Sequence, residues 1–445
     1  MIKEFIPSII LRDGKVFDSF KGGNSISSEP VKLAEGYNDA GADALIVFDQ
    51  STDDASHDKA LDIIKDICHV VDIPVIGGGN IKRMEDVKKM LYAGCKACFL
   101  STAKESNMEL LEEVSLKFGK EKIMICYADK DEEKARGIAH SEDIKKYASS
   151  MIVLPCAFDD NSIDSVGAVL PKELDGLKGY LYISSFCDKD RLMDICLTFM
   201  NNDLYLGATG TGFINGAEWI TDIKEEVSEA GMEVKKLTSS FKWEDFKKDN
   251  AGLVPVVVQD YRTSQVLMLA YMNEEAFNTT IRTGKMTYYS RSRQELWIKG
   301  LTSGHFQFVK SLSADCDMDT ILAKVKQIGV ACHTGSYSCF FNQIAEKEYD
   351  KKDPSKVLSD VYNVIADRKI HPKEGSYTNY LFDKGIDKIL KKCGEEATEI
   401  TIAAKNPGEN EIVYEIADYL YHMMVLMVEK NVRWEDITDE LTRRE

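Results

Sequence analysis

The sequence predicts a multidomain chain: a (β/α)8-like barrel, then a small mainly-β α+β domain, then an all-α helical domain. Three observations carry this expectation. Short apolar runs alternate with amphipathic stretches over residues 1–235, β-rich runs with short turns follow from about 240, and helical periodicity takes over beyond 355. At 445 residues the chain is too long for one ordinary domain, and its 44% hydrophobic content is ample for several cores.

The barrel rests on eight strand-like runs, at 5–11, 44–48, 73–76, 97–100, 122–126, 151–154, 180–183 and 203–206. Amphipathic stretches such as 84–92 and 141–147 separate most of them. Eight such units in roughly 230 residues fit a closed parallel barrel with helices outside, and an open doubly wound sheet is the alternative. In the middle segment, 240–345, the runs 253–259, 266–271, 286–290 and 296–299 have little helix between them. Residues 346–355, rich in lysine and acids with Pro354, are expected to be a linker. The last segment, 356–445, has two helical stretches, 379–405 and Asn410–Glu429, divided by Asn406-Pro407-Gly408.

Charge and cysteine content narrow the function. The 56 basic and 74 acidic side chains leave a net charge of −18, which repels phosphate backbones and anionic lipid and argues against a nucleic-acid or membrane-surface protein. Residues 1–240 carry 28 basic and 42 acidic groups, so most of the excess lies in the barrel. No apolar run approaches the length of a membrane span, and the start reads as a first strand rather than a signal. Eleven cysteines without a regular framework fit free thiols in a reducing compartment, and a cytoplasmic location is expected.

The middle segment holds Asp315-Cys316-Asp317-Met318-Asp319, then Cys332-His333, then Cys339. Were 315–319 a strand, its two-residue period would put the three aspartates on one face, an oxygen site suited to Mg²⁺, and Cys316 on the other. Three thiolates, Cys316, Cys332 and Cys339, suit Zn²⁺ and leave its fourth position for water, whose pKa zinc lowers to near 7. The plain alternative is buried cysteine and solvated aspartate. A core cysteine, however, is rarely placed between two aspartates.

Residues 252–341 resemble phosphoribosyl-AMP cyclohydrolase, through GLVPVVVQD, VLMLAYMN, YYSRSRQELWIKG, TSGH, DCDMD and ACHTGSYSCF in order. The resemblance implies Mg²⁺ on Asp315, Asp317 and Asp319, and Zn²⁺ on Cys316, Cys332 and Cys339 with both subunits of a dimer contributing. It also implies opening of an adenine ring by zinc-supplied hydroxide at the carbon beside the ribosylated nitrogen. His333 is the first candidate for proton transfer and His305 the second. Arg291, Ser292, Arg293, Ser303 and Gly304 are candidate phosphate or ribose contacts, with surface charge and turn residues as the plain reading.

In the last segment Glu395, Glu396 and Glu399 form E-E-x-x-E, and Glu415 and Asp418 form E-x-x-D. Spacings of three and four bring each set to one side of its helix. The second helix is nearly apolar apart from a stripe of Glu411, Glu415, Asp418 and His422, which alone would pass for a solvent-facing edge. Two such faces opposed across a hairpin would need divalent cations. The segment resembles phosphoribosyl-ATP pyrophosphohydrolase, an all-α MazG-like family, through DRK, EGSYTNYLFDKG, KILKKCGEEATE and VYEIADYLYH. That resemblance implies Mg²⁺ on Glu395, Glu396, Glu399, Glu415 and Asp418. Arg368, Lys369, Lys373 and Lys384 are candidate phosphate contacts.

Residues 1–235 resemble the phosphoribosyl-binding barrels of the ProFAR isomerase and of the cyclase subunit of imidazole glycerol phosphate synthase, through FIPSIILRDGKVF, GADALIVFDQ, IPVIGGGNIKRMEDVKKMLYAG and ISSFCDKDRLMDI. Those enzymes use aspartates at the ends of the first and fifth strands. Here the positions fall on Ile10 and Tyr127, with Asp129 two residues beyond, and an isoleucine can neither give nor take a proton. Gly77-Gly78-Gly79 is a candidate phosphate loop, the seventh-strand loop reads Ser184-Ser185-Phe186-Cys187, and Gly207 with Gly210–Gly212 is a candidate eighth-strand loop.

The expectation is therefore a bifunctional, metal-dependent hydrolase of histidine biosynthesis that binds nucleotides. It would convert phosphoribosyl-ATP to phosphoribosyl-AMP and pyrophosphate, then open the ring to ProFAR. A homodimer or higher assembly through the two C-terminal domains is expected, with the barrel as scaffold. The barrel's rival role is a changed enzyme that still binds a phosphoribosyl ligand. The rivals for the whole chain are a nucleotide-sensing regulator, or a general nucleotide pyrophosphatase joined to an unrelated zinc hydrolase.

Overall fold

The computed structural model describes every residue except 21–22, 129–130, 155–173, 175, 185–187, 201, 215, 349–352, 355 and 443–445. Asp129, residues 185–187 of the expected seventh-strand loop, and half of the expected linker fall outside the described residues. The chain divides into two compact units, Met1–Asn342 and Gln343–Glu445.

The first unit opens with a closed barrel. Its strands are β1 (Glu4–Arg12), a short antiparallel pair β2 (Lys15–Phe17) and β3 (Ser25–Ser27), then β4 (Leu45–Asp49), β5 (Val75–Gly78), β6 (Ala97–Ser101), β7 (Ile123–Ala128), β8 (Ser150–Leu154), β9 (Gly179–Tyr182) and β10 (Tyr205–Gly210). Apart from the β2–β3 pair, all are parallel, and β10 returns to β1 in the register Glu4↔Gly207 to Pro7↔Gly210. All eight expected strands are present. They were readable because barrel strands are buried on both faces and so appear as unbroken apolar runs.

Two layers of side chains result. Phe5, Ile9 and Leu11 of β1 pack outward on the helices, whereas Ile6 and Ile10 join Ile46, Phe48, Phe99, Met124, Cys126, Ile152 and Tyr182 inside the barrel. Tyr127 belongs to the outer layer, so the expected fifth-strand position is one residue out of register; Cys126 is the inward neighbour. Phe20, from the segment joining β2 to β3, packs on Phe48 at 4.9 Å and on Tyr182 at 5.4 Å, over the C-terminal mouth. The expected phosphate glycines are used for packing. A Cβ on Gly79 (φ +120°) would lie 2.3 Å from the Asp49 carbonyl, and Gly77 and Gly78 belong to β5 itself. Gly207 and Gly210 likewise lie within β10.

The rest of the first unit is a four-stranded sheet and a hairpin. The strands are β11 (Val254–Asp260), β12 (Val266–Met272), β13 (Thr287–Ser290), β14 (Glu295–Ile298), β15 (Gln307–Ala314) and β16 (Ile321–Gln327). The sheet order is β12-β11-β16-β15 with β11 and β16 parallel, and β13 pairs with β14. The helix Glu274–Thr283, not expected from the sequence, lies between β12 and β13. Its threonine-rich composition is a poor helix signal, but Asn273 caps it by accepting from the Ala276 amide at 2.9 Å, and Phe277 anchors it on Trp243 and Phe246.

This sheet meets the N-terminal end of the barrel strands. Lys326 of β16 pairs with Asp39 at 2.9 Å, and Lys310 of β15 pairs with Asp72 at 2.5 Å. Both lysines sit at the base of the β15–β16 hairpin, so the hairpin tip extends away from the ion pairs.

The second unit is helical: Val357–Ile370, Tyr377–Lys384, Ile386–Ala403, Asn410–Glu429 and Trp434–Thr442. Gly385, at φ +76°, breaks the expected stretch 379–405 into two helices. Ile365, Leu381, Ile389, Cys393, Met424, Val425 and Val428 form the core.

Within the barrel, Asp43 and Lys224 form a buried pair at 2.7 Å with side-chain exposures of 3% and 8%. Burial raises the carboxyl's pKa and lowers the ammonium's, and each partner's charge opposes the shift. Lys224→Met should leave the carboxylate buried and unpaired and lower barrel stability by about 3–5 kcal/mol, read as an earlier urea transition. An unchanged transition would show that the pair is not structural.

Candidate active sites

The three aspartates of the middle segment come together, though not as a strand. Residues 315–319 form the tight turn between β15 and β16, with Met318 at φ +65°. Asp315 drives the turn: its carboxylate accepts from the Asp319 amide at 3.0 Å and the Thr320 amide at 3.2 Å, the local bonding for which aspartate favours turns over strands. Against slight desolvation, those amides hold the Asp315 carboxyl below its ordinary pKa. Oxygens of Asp315, Asp317 and Asp319 lie within 4.8 Å of one another and all three residues are exposed, a donor set that fits a hard divalent cation.

The cysteines separate into a pair and a single. Cys332 and Cys339 line the same cavity, and Cys332 Sγ is 3.1 Å from the Thr334 hydroxyl. Thr334 lowers the Cys332 pKa; burial, then Cys332 itself, raises that of Cys339. Cys316 is exposed on the aspartate turn, and among the described residues it joins no group of three candidate ligands. One chain thus presents two of the three thiols at one cavity and the third apart from them.

The two thiols open on a cavity of about 580 Å³. Cys332, His333, His305, Ser303, Trp297 and Lys299 line it, so both histidine candidates and Ser303 meet the thiols there. Gly304 is the turn glycine between Ser303 and His305. Arg291, Ser292 and Arg293 lie at the β13–β14 turn, where Arg291 stacks on Tyr271 at 3.8 Å and Arg293 pairs with Glu295 at 3.2 Å. Lys299, overlooked in the sequence, is only 5% exposed. Burial lowers its pKa, and the nearby Cys339 and Cys332 thiols act in the opposite sense.

In the helical unit, oxygens of Glu396, Glu415 and Asp418 converge within 4.8 Å across Ile386–Ala403 and Asn410–Glu429. Glu399 joins them: its hydrogen bond to Glu396, then burial and the charges of Glu396 and Glu415, raise its carboxyl pKa. Burial opposes ionisation of Glu396, but Lys392 at 2.9 Å outweighs it and the carboxyl sits below its ordinary pKa. Glu395 instead faces Lys391 and Lys392 at 3.2 and 3.1 Å. One buried oxygen of Glu415 has no hydrogen-bond partner among the described residues, and a divalent cation would supply one.

His422 is part of this site rather than of a solvent-facing stripe. It is 4% exposed; its Nδ1 donates to the Asp418 carbonyl at 2.9 Å and lies 3.5 Å from Glu396, while Nε2 accepts from the Tyr377 hydroxyl at 3.1 Å. Lys369 pairs with Glu429 at 3.1 Å and Arg368 with Asp367 at 3.3 Å. Lys384 packs over Tyr380 at 5.9 Å, and Lys373 is exposed.

Comparison with known families places these features. Residues 268–341 match the phosphoribosyl-AMP cyclohydrolase model, 358–445 match phosphoribosyl-ATP pyrophosphohydrolase, and 4–151 match the histidine biosynthesis protein model. The class is therefore a multidomain hydrolase built from these two enzyme domains behind a histidine-biosynthesis barrel. Relatives named histidine biosynthesis bifunctional protein HisIE include that of Thermoanaerobacter pseudethanolicus, 54% identical over 44% of this chain and 97% of the relative. Those of Lactococcus lactis and Bacillus subtilis are 51% and 46% identical, each over 45% of this chain and over 91% and 95% of the relative. The chain belongs to the HisIE family of bifunctional histidine-biosynthesis enzymes.

If the helical cluster binds a divalent cation, Mg²⁺ should raise the melting temperature of the helical unit, and Glu415→Gln should remove most of that rise. Because Glu399 protonates at a higher pH than an ordinary glutamate, the stabilisation should weaken as pH falls toward its raised pKa. Equal Mg²⁺ stabilisation of the variant would show that the cluster is not the site.

Proposed function

We propose that the chain performs two successive hydrolyses. The helical unit releases pyrophosphate from phosphoribosyl-ATP, and the middle domain, about 240–345, opens the adenine ring of the resulting phosphoribosyl-AMP to give ProFAR. The observation that carries this reading is the pairing, on one chain, of a three-carboxylate cluster across two helices, with Glu399 beside it, and a thiol pair facing a cavity of about 580 Å³.

In the helical unit, Glu396, Glu399, Glu415 and Asp418 would hold Mg²⁺, with Glu395 beside them. The cation would draw the triphosphate to an acidic site that otherwise repels it. Lys392 pairs with Glu396, and His422 lies 3.5 Å from the same carboxylate oxygen.

In the middle domain, Cys332 and Cys339 would hold Zn²⁺ together with Cys316 from a second copy of the chain, whose exposed position at a hairpin tip suits such a reach. Zinc, when bound, supplies hydroxide at neutral pH. Asp315, Asp317 and Asp319 would hold Mg²⁺ at the same tip. His333 and His305 line the cavity and would move the protons, and Trp297 offers an aromatic face to the base. Ser303, in the cavity wall, and Gly304 beside it would contact ribose or phosphate. Arg291, Ser292 and Arg293 would reach substrate only by leaving their present partners, and the same holds for Arg368 and Lys369.

The barrel, about 1–235, serves as a scaffold. Its interior is filled by apolar side chains, Phe20 packs over its mouth, and its far end grips the base of the β15–β16 hairpin through Asp39 and Asp72. The assembly acts on small nucleotides in the cytoplasm.

The test is turnover of phosphoribosyl-ATP by the whole protein and two variants. Cys332→Ser should accumulate phosphoribosyl-AMP, and Glu396→Gln should leave phosphoribosyl-ATP largely unconsumed, each with a loss on the order of 10²-fold or more at its own step. Full conversion to ring-opened product by both variants would refute the site assignments.

A further inference from the structure

Lys299 follows β14 and lies in the cavity wall beside Cys332, Cys339, His305 and His333. It is 5% exposed, and among the described residues no carboxylate stands within ion-pair distance of it; its ammonium donates to the His305 carbonyl at 3.3 Å. Several other cations of this domain have a carboxylate partner: Arg293 has Glu295, Lys247 has Asp317 and Lys326 has Asp39. A buried ammonium left with a carbonyl is costly unless an anionic partner is present. Three thiolates around Zn²⁺ would keep one net negative charge, which offsets part of the cost of the buried ammonium, and the N–H groups not used by the His305 carbonyl remain for whatever enters the cavity.

The substrate carries negative charge in two places. Its phosphates are separated from the reacting ring by ribose, whereas Lys299 stands beside the thiol pair, where the ring carbon reacts. We propose that Lys299 is a catalytic residue that donates a hydrogen bond to the oxygen gaining negative charge as the adenine ring opens, an inference that rests on the cyclohydrolase reading above. The water oxygen bonds to the ring carbon next to the ribosylated nitrogen, and the carbon–imine π pair moves to the exocyclic nitrogen, which takes one water proton. The carbonyl then forms, the ring carbon–nitrogen bond breaks with its pair going to the ribosylated nitrogen, and that nitrogen takes the second proton. Negative charge is greatest on the new oxygen as the second proton leaves it. A preorganised ammonium acts there without reorganisation, in a site partly closed to water.

The experiment uses the full chain with zinc, phosphoribosyl-AMP as substrate, and the variants Lys299→Gln and Lys299→Arg. Glutamine keeps a donor for the His305 carbonyl and removes the charge; arginine keeps the charge. Lys299→Gln should lower kcat about 10²-fold with KM within about threefold of wild type, and Lys299→Arg should recover part of the loss. Zinc content and melting temperature should stay at wild-type values in both. A glutamine variant with wild-type kcat, a rise in KM alone, or a loss of kcat that tracks loss of zinc would overturn the assignment. If wild-type protein itself fails to turn over phosphoribosyl-AMP, the cyclohydrolase reading falls and the role of Lys299 with it, a result distinct from failure of the variants alone.

Discussion

Charge held closer than water would allow is the constraint on which both sites depend. Oxygens of Glu396, Glu415 and Asp418 converge within 4.8 Å, and Cys332 and Cys339 line one cavity. Like charges at such distances repel and add to other causes: Glu399 is raised by its hydrogen bond to Glu396, then by burial and neighbouring charge, and Cys339 by burial, then by Cys332. The surrounding protein opposes this repulsion with a few cations and donors: Lys392 and His422 at the helical cluster, Thr334 and Lys299 at the thiols. On the proposed reading, each site is an arrangement of negative ligands that a bound cation would complete.

The fold serves this constraint by fixing the ligands on stiff elements. Two long helices hold the carboxylates, and a hairpin gripped at its base by barrel acids carries the aspartate turn. The barrel contributes no comparable ligand set among the described residues. Its strand ends are closed by aromatic packing, and Ile10 lies in the apolar interior. Much of the net negative charge is therefore on a domain that repels other anions, while the two hydrolytic domains are nearly balanced.

How far the sequence could be read varied with the physical origin of each feature. The barrel strands show as runs because burial on both faces demands apolar residues throughout. The carboxylate pairs show because helical spacing is regular, although Gly385 and the buried side of His422 depend on tertiary packing that periodicity does not encode. The Asp315–Asp319 cluster was expected to arise from strand alternation and arises instead from a turn that Asp315 itself organises; its acids converge by local hydrogen bonding. Tyr127 missed by one residue because a two-residue period turns a single-step error into the opposite face. Lys299 gave no signal, since burial of a lysine depends on neighbours far away in the chain, and the hydrophobic Trp297-Ile298 before it was the only hint.

The central claim is that one chain carries two hydrolyses in a fixed order. A time course of the unmodified protein with phosphoribosyl-ATP, following pyrophosphate by phosphate release and ring opening by ultraviolet absorbance, tests it most directly. Pyrophosphate should appear first and ring-opened product after a lag, both reaching the amount of substrate supplied. Ring opening ahead of pyrophosphate release, or pyrophosphate release with no ring opening by zinc-loaded protein, would contradict it.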